Sequence, residues 1–263
     1  MLKARLLAFF VLILGLFAGW GFWNRVDIKQ SALAWQNKRS LPVAMNQEQL
    51  SQLPTSQIKG LTKKTTVKLM VNTLPEEINI AVPFTTQAPY AVWDHLHDDA
   101  CEEASLIMLD AFYKNKKSLN KEEAELTIQD LVRWEQEKYG YFEDTTSEQG
   151  VEMLEQFFKL SGAKVVYDIT IDDIKRALAQ GKPVVVPAAG KLLKNPYFRN
   201  GGPLYHMLVI KGYTKDGRFI TNDPGTRRGE DFTYKTEVLY NAIHDWREDR
   251  DILKGRKAMI VIE

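Results

Sequence analysis

Asp98-Asp99-Ala100-Cys101-Glu102-Glu103-Ala104-Ser105-Leu106-Ile107-Met108 is the stretch on which the reading of this chain turns. It holds the single cysteine of 263 residues, where a polar loop gives way to a helical pattern. Ala104, Ile107, Met108 and Ala111 recur on one face. That spacing predicts a helix over residues 100–113, with Asp98 or Asp99 as its N-cap. A lone thiol excludes an intrachain disulfide. In the first turn it meets unpaired backbone N–H groups and the positive end of the helix dipole, which favour a thiolate. The carboxylates of Asp98, Asp99, Glu102 and Glu103 act the other way and raise the thiol pKa. The alternative to a nucleophile is a cysteine that packs as a small hydrophobe.

Working outward, Ile78-Asn79-Ile80-Ala81-Val82-Pro83-Phe84 alternates as a strand does, and Pro83 closes it. The loop over 85–99 is long for a compact domain, which points to a functional segment. After Cys101, Asn120-Lys121-Glu122-Glu123 opens a helix that Gly140 ends, and Ser147 opens a third helix reaching Gly162. Beyond it the pattern turns to strands over 165–167, 184–186, 206–210, 217–222 and 258–262, with helices over 170–180 and 237–246. Helices first and an antiparallel sheet afterwards define an α+β domain spanning 75–263.

Two segments precede that domain. In residues 1–27, Lys3 and Arg5 stand before an apolar run from Leu6 to Trp23, just long enough for a membrane span. A cleaved signal segment opens the same way, and its removal would leave a secreted protein. Small residues at the cleavage spacing are scarce, however, and Trp20 and Trp23 suit a membrane interface. The expectation is therefore a membrane anchor that leaves the rest of the chain outside the cytoplasm, in the cell envelope. Residues 28–74 carry seven Lys or Arg against Glu48 alone and read as a basic polar stalk or linker. The net charge of +1 thus divides into +2 over 1–27, +6 over 28–74 and −7 over 75–263. An acidic domain offers no phosphate-neutralising surface, so a nucleic-acid partner is not expected.

Thiol catalysis needs a nucleophile, a base, a group that orients the base, and donors for the oxyanion. His206 follows the flexible Gly201-Gly202-Pro203 and starts an apolar strand. Asp223 follows the strand expected to pair with it, so a hairpin of that length brings the two together. Gln87, on the loop before the helix, offers a side-chain amide beside the Cys101 N–H. Trp93, on the same loop, can wall a cleft that holds extended peptide. Taken singly, each has a plainer reading: His206 as a core histidine, Asp223 as a turn former, Gln87 as a loop amide.

Four segments in this order resemble the C39-like peptidases of the papain-like clan. They are Val82-Pro83-Phe84-x-x-Gln87, Cys101-Glu102-x-Ala104-Ser105-x-x-Met108, the run from Asp173 to Val186, and His206-Met207-Leu208-Val209-Ile210-x-Gly212-Tyr213 with Asp223-Pro224-Gly225. The resemblance implies a papain-like α+β fold, its N-terminal helical part packed on an antiparallel sheet. It also implies a cysteine peptidase acting on a peptide or protein without a cofactor. Cys101 would be the nucleophile, His206 the base, Asp223 the orienter and Gln87 an oxyanion donor. Two other readings stand beside it. One is a peptidoglycan amidase or endopeptidase on the same scaffold, and the other is a binding module without turnover. His95 and His97, close to Cys101, Asp98 and Asp99, are of ligand type for zinc, but the tight spacing reads better as solvated loop histidines and no metal is expected.

Overall fold

The computed structural model of this protein describes residues 38, 40–52 and 74–263. The chain divides into two units, Met1–Leu41 and Pro42–Glu263, and the second carries the features below. The apolar run expected to be a membrane anchor lies outside the described residues. Among those described, no helix is long and apolar enough to cross a membrane.

Residues 42–52 fall in the segment read as a linker, yet they pack on the domain. Met45 bridges Ile80 in parallel, and Asn79 Nδ2 donates to the Pro42 carbonyl at 3.0 Å. A short helix α1 (Gln47–Ser51) follows, and Gln47 Nε2 donates to the Phe112 carbonyl at 2.8 Å. The strand expected over 78–84 is only β1 (Ile78–Asn79). Its residues pair with the far end of the long strand introduced below, where a Cβ on Gly212 would lie 2.2 Å from the Ile78 carbonyl oxygen. Only glycine allows that approach.

A four-residue helix α2 (His95–Asp98) interrupts the long loop, with Asp94 as its N-cap. The cysteine helix is α3 (Cys101–Tyr113), buried over every residue from Cys101 to Phe112. Its N-cap is Ala100, with no side-chain hydrogen bond. This corrects the expectation of Asp98 or Asp99: those two residues close α2, which leaves Ala100 as the junction. The next helix, α4 (Lys121–Tyr139), keeps its expected limits: Asn120 accepts from the Glu123 N–H, and Gly140 ends it with φ 83°. Such a cap is worth about 1 kcal/mol. The third, α5 (Ser147–Gln156), is capped by a Thr146–Gln149 box and stops six residues earlier than its apolar pattern suggests.

Strands follow. β2 (Ala163–Tyr167) leads through α6 (Ile171–Ala179), capped by Thr170 and Asp173, into β3 (Val184–Ala189). The hairpin of β4 (Tyr205–Thr214) and β5 (Arg218–Asn222) comes next. Then come β6 (Phe232–Lys235), α7 (Thr236–Ala242) and β7 (Ala258–Ile262). Every pairing among these strands is antiparallel, in the order β2-β7-β3-β4-β5-β6, with β1 also on β4. The class is α+β, with α3 lying against β4 and β3.

All ten residues of β4 and all six of β3 are buried, as expected of a strand covered on both faces. Each Val, Leu or Ile sealed there contributes about 1.5–3 kcal/mol. His206 and Asp223 sit on this framework, whereas Cys101 belongs to the helix packed against it.

Candidate active site

A cavity of about 700 Å³ opens between the start of α3, the loop ahead of it, and the loops around β4. Cys101, His206, Gln87 and Trp93 all line it. Four of the five residues singled out from the sequence therefore face one space, and the fifth, Asp223, lies directly behind His206.

His206 comes from the β4 end that pairs with β3, opposite Ala188. Its Nε2 is 2.8 Å from Asp223 Oδ1. The register places Asn222 opposite Val209, with a bulge between Ile210 and Gly212, so Asp223 follows directly on the last residue of β5. Phe198 meets the imidazole edge-on at 5.1 Å between centroids. With Nε2 held by the carboxylate, Nδ1 is the nitrogen left for another partner.

Asp223 is fully buried and well supplied with donors. The Gly225 N–H reaches Oδ1 at 3.0 Å. Asn195 Nδ2 reaches Oδ2 at 3.0 Å and also donates to the Tyr234 hydroxyl at 2.8 Å. Tyr234 itself donates to Oδ2 in a short hydrogen bond. Burial pushes the carboxyl up, but the His206 charge and the bonds from His206, Tyr234 and Gly225 outweigh it and hold Asp223 below the usual carboxylate range. Burial and the Asp223 charge drive the Tyr234 hydroxyl well above its ordinary value, so it remains a donor. Behind Asp223 the chain passes so close that a Cβ on Gly229 would fall 1.7 Å from the Asp223 carbonyl oxygen. Asn195 and Tyr234 escaped the sequence reading: one sits in a polar Lys-Asn-Pro-Tyr turn, the other on an outer strand.

Cys101 stands in different surroundings. It is the first residue of α3 and is 5% exposed. Its thiol donates to Glu102 Oε2 at 2.9 Å. Burial first, then the Glu102 charge and this hydrogen bond, push the thiol well above its ordinary value, and Glu103 adds to the shift. A backbone hydrogen bond from Met207 acts in the opposite direction. The other Glu102 oxygen accepts the Thr145 N–H at 3.0 Å. Glu102 is raised to about 7, by burial first and then by Asp144.

Behind Glu102 lie Glu103 and Glu135, both 0% exposed. Apart from the proton they share with each other, no donor among the described residues reaches their oxygens. Burial and mutual repulsion raise Glu103 well above the usual carboxylate range, and burial raises Glu135 to about 8. Two carboxyls interacting there must retain at least one proton at neutral pH.

Gln87 is buried, and its Nε2 donates to the His97 carbonyl at 2.8 Å and the Asp98 carbonyl at 3.1 Å. Both bonds tie the amide to the turn that precedes α3. Trp93 also lines the cavity, with the Arg199 guanidinium 5.3 Å from its ring.

The two histidines of zinc-ligand type do not converge. His97 is buried, with Nδ1 2.7 Å from Asp94 Oδ1 and Nε2 3.1 Å from Glu125 Oε1. His95 is exposed, packs against Phe142, and lies 3.6 Å from Glu143. Among the described residues no group of three or more His, Cys, Asp or Glu side chains is placed to hold a metal ion.

A model of the Peptidase_C39 like family matches residues 79–251, and the chain belongs to that family. Two solved structures also match. One is described as a C39-like peptidase from Bacillus anthracis, at 14% identity over 72% of this chain and 98% of that chain, with TM-score 0.48. The other is a fragment of prointerpain A from Prevotella intermedia, at 12% identity over 74% of this chain and 75% of that chain, with TM-score 0.47. No curated protein matches this chain in sequence.

Proposed function

We propose that this chain is a cysteine peptidase that cleaves peptide bonds through Cys101, His206 and Asp223. The observation that carries the reading is the buried His206–Asp223 hydrogen bond behind a cavity that Cys101 also lines. His206 Nδ1 takes the thiol proton, and Sγ attacks the scissile carbonyl carbon. The resulting oxyanion is held by the Cys101 N–H at the helix N-terminus and by Gln87 Nε2, which exchanges one of its carbonyl partners to do so. His206 returns the proton to the leaving amine, the C–N bond breaks, and a thioester remains on Cys101. Water, deprotonated by His206, hydrolyses the thioester and regenerates the thiol. Asp223 keeps the imidazole in the required tautomer and stabilises its protonated form. No step calls for a cofactor. Trp93 forms a wall for extended peptide, with Arg199 stacked on it. The run Leu6–Trp23 supports tethering of the enzyme to a membrane, with its catalytic domain outside the cytoplasm.

A competing reading, binding without turnover, is favoured by the buried thiol and its bond to Glu102. Hydrolysis of a mixed library of unstructured peptides by the full chain and by Cys101→Ala separates the two. Cleavage lost in the variant is expected; no cleavage by either protein would overturn the peptidase reading. Purified muropeptides run in parallel test the peptidoglycan alternative, which requires their cleavage while the library stays intact.

A further inference from the structure

Cys101 faces two proton acceptors. His206 shares the cavity with it, but the bond the thiol actually makes is to Glu102 Oε2, at 2.9 Å. An ionised carboxylate in that position holds the proton on sulfur and repels a thiolate. A protonated carboxyl there does the reverse, because it carries no charge and its O–H can donate to a thiolate. The ionisation of Glu102 therefore sets whether the thiol can react.

From this geometry we propose that Glu102 is a further catalytic residue, a proton gate whose protonated form is the one that permits Cys101 to act as a nucleophile. The inference rests on Cys101 being the nucleophile of the proposed peptidase. No covalent step is added to that mechanism: Glu102 gains one proton from solvent, and its hydrogen bond with Sγ changes direction when the thiol proton passes to His206.

The surroundings of Glu102 favour this role. On its own helix it faces Cys101 and Glu103. Glu135 reaches toward it from α4, Asp144 from the turn before α5, and Tyr205 from β4. All five are acids, so none supplies positive charge to hold the glutamate ionised. Glu103 and Glu135 have only each other as hydrogen-bond partners among the described residues. The one fixed donor is the Thr145 N–H on the other oxygen of Glu102, which orients the carboxyl toward the thiol. Burial and these neighbours place the transition at about 7.

The test is the rate of Cys101 alkylation by iodoacetamide in the full chain between pH 5 and pH 9. An ordinary thiol reacts faster as pH rises, since only the thiolate attacks. The gate predicts the opposite over part of the range: a rate that falls as pH rises through about 7. Glu102→Gln, which is neutral at every pH, is expected to lose that descending limb and to react about tenfold faster than wild type at pH 8. Glu135→Gln, which replaces a carboxyl that already holds its proton at pH 7, should leave the limb in place. A wild-type rate that climbs steadily across the range overturns the proposal whether or not either variant folds. So does a Glu102→Gln profile identical to wild type. Alkylation reads the thiol directly, so the descending limb can be present in a protein that cleaves no peptide. A steady climb would sink the gate even in an active peptidase.

Discussion

On the sheet side of the cavity, burial and hydrogen bonding are matched. Asp223 is 0% exposed, and both its oxygens accept hydrogen bonds, from His206, Gly225, Asn195 and Tyr234. On the helix side they are not: Glu103 and Glu135 are equally buried and, apart from each other, no donor reaches them among the described residues. Glu102, between them and the thiol, has one backbone donor and the thiol itself. The His206 charge and the hydrogen bonds outweigh burial and lower the Asp223 carboxyl, whereas burial raises the three glutamates. The same residue chemistry is thus used in two ways. The base half is built to stay charged and in place, whereas the thiol half is built to hold protons.

The largest effects test the base half. His206→Ala is expected to lower peptide hydrolysis by about 10³-fold or more, measured as kcat/KM, because His206 carries both proton transfers of the proposed mechanism. Asp223→Asn keeps the shape but loses the charge, and should cost about 10²–10⁴-fold. If Asp223→Asn were as active as wild type, the Asp223 charge would not be what supports His206.

The next test bears on the thiol half through stability. Glu135 has its pKa raised to about 8 from an unfolded value near 4.5. Its folded state therefore binds a proton more tightly than the unfolded chain does. The stability this contributes is fully present below about pH 4.5 and is lost as pH rises through about 8. Denaturant unfolding at pH 5, 7 and 9 should show stability falling by a few kcal/mol across the range. In Glu135→Gln the slope should flatten, and an unchanged slope would mean that the carboxyl pair is not the source of the alkaline loss.

Tyr234→Phe probes the base half more gently. Removing that donor should cost about 1–3 kcal/mol of stability and weaken the lowering of Asp223. Because the Asp223 pKa is lowered in the folded state, its contribution is present above the unfolded value and lost as pH falls through the folded one. In the variant this acid loss should begin at higher pH, and the acidic limb of kcat/KM should move the same way. Trp93→Ala should have the smallest effect, raising KM by about 3- to 10-fold with kcat little changed, as expected for a wall that binds rather than reacts.

Much of the framework was legible in the chain. Asn120 and Gly140 bound α4, Thr170 and Asp173 start α6, and the β4–β5 hairpin brings Asp223 to His206, all from local patterns. These features depend on neighbours a few residues apart or on one short turn. What escaped depends on tertiary contact. Glu135, in Trp-Glu-Gln-Glu-Lys, reads as a surface position, and only the packing of α4 on α3 buries it beside Glu103. Asn195 and Tyr234 meet Asp223 only because loop and strand converge there. The early end of α5 has a similar origin: Phe157 continues its apolar pattern but meets Trp134 of α4, at 6.3 Å between ring centroids. Acidity around Cys101 was visible as a run of letters, but which carboxylate touches the sulfur was not.

The central claim is that the buried His206–Asp223 pair acts on Cys101. Active-site labelling with an electrophilic peptide probe tests it most directly, comparing wild type, His206→Ala and Asp223→Ala at the pH of fastest wild-type reaction. Strong labelling of wild type, weaker labelling of Asp223→Ala and little of His206→Ala are expected, all of it on Cys101. Equal labelling of the three proteins would contradict it.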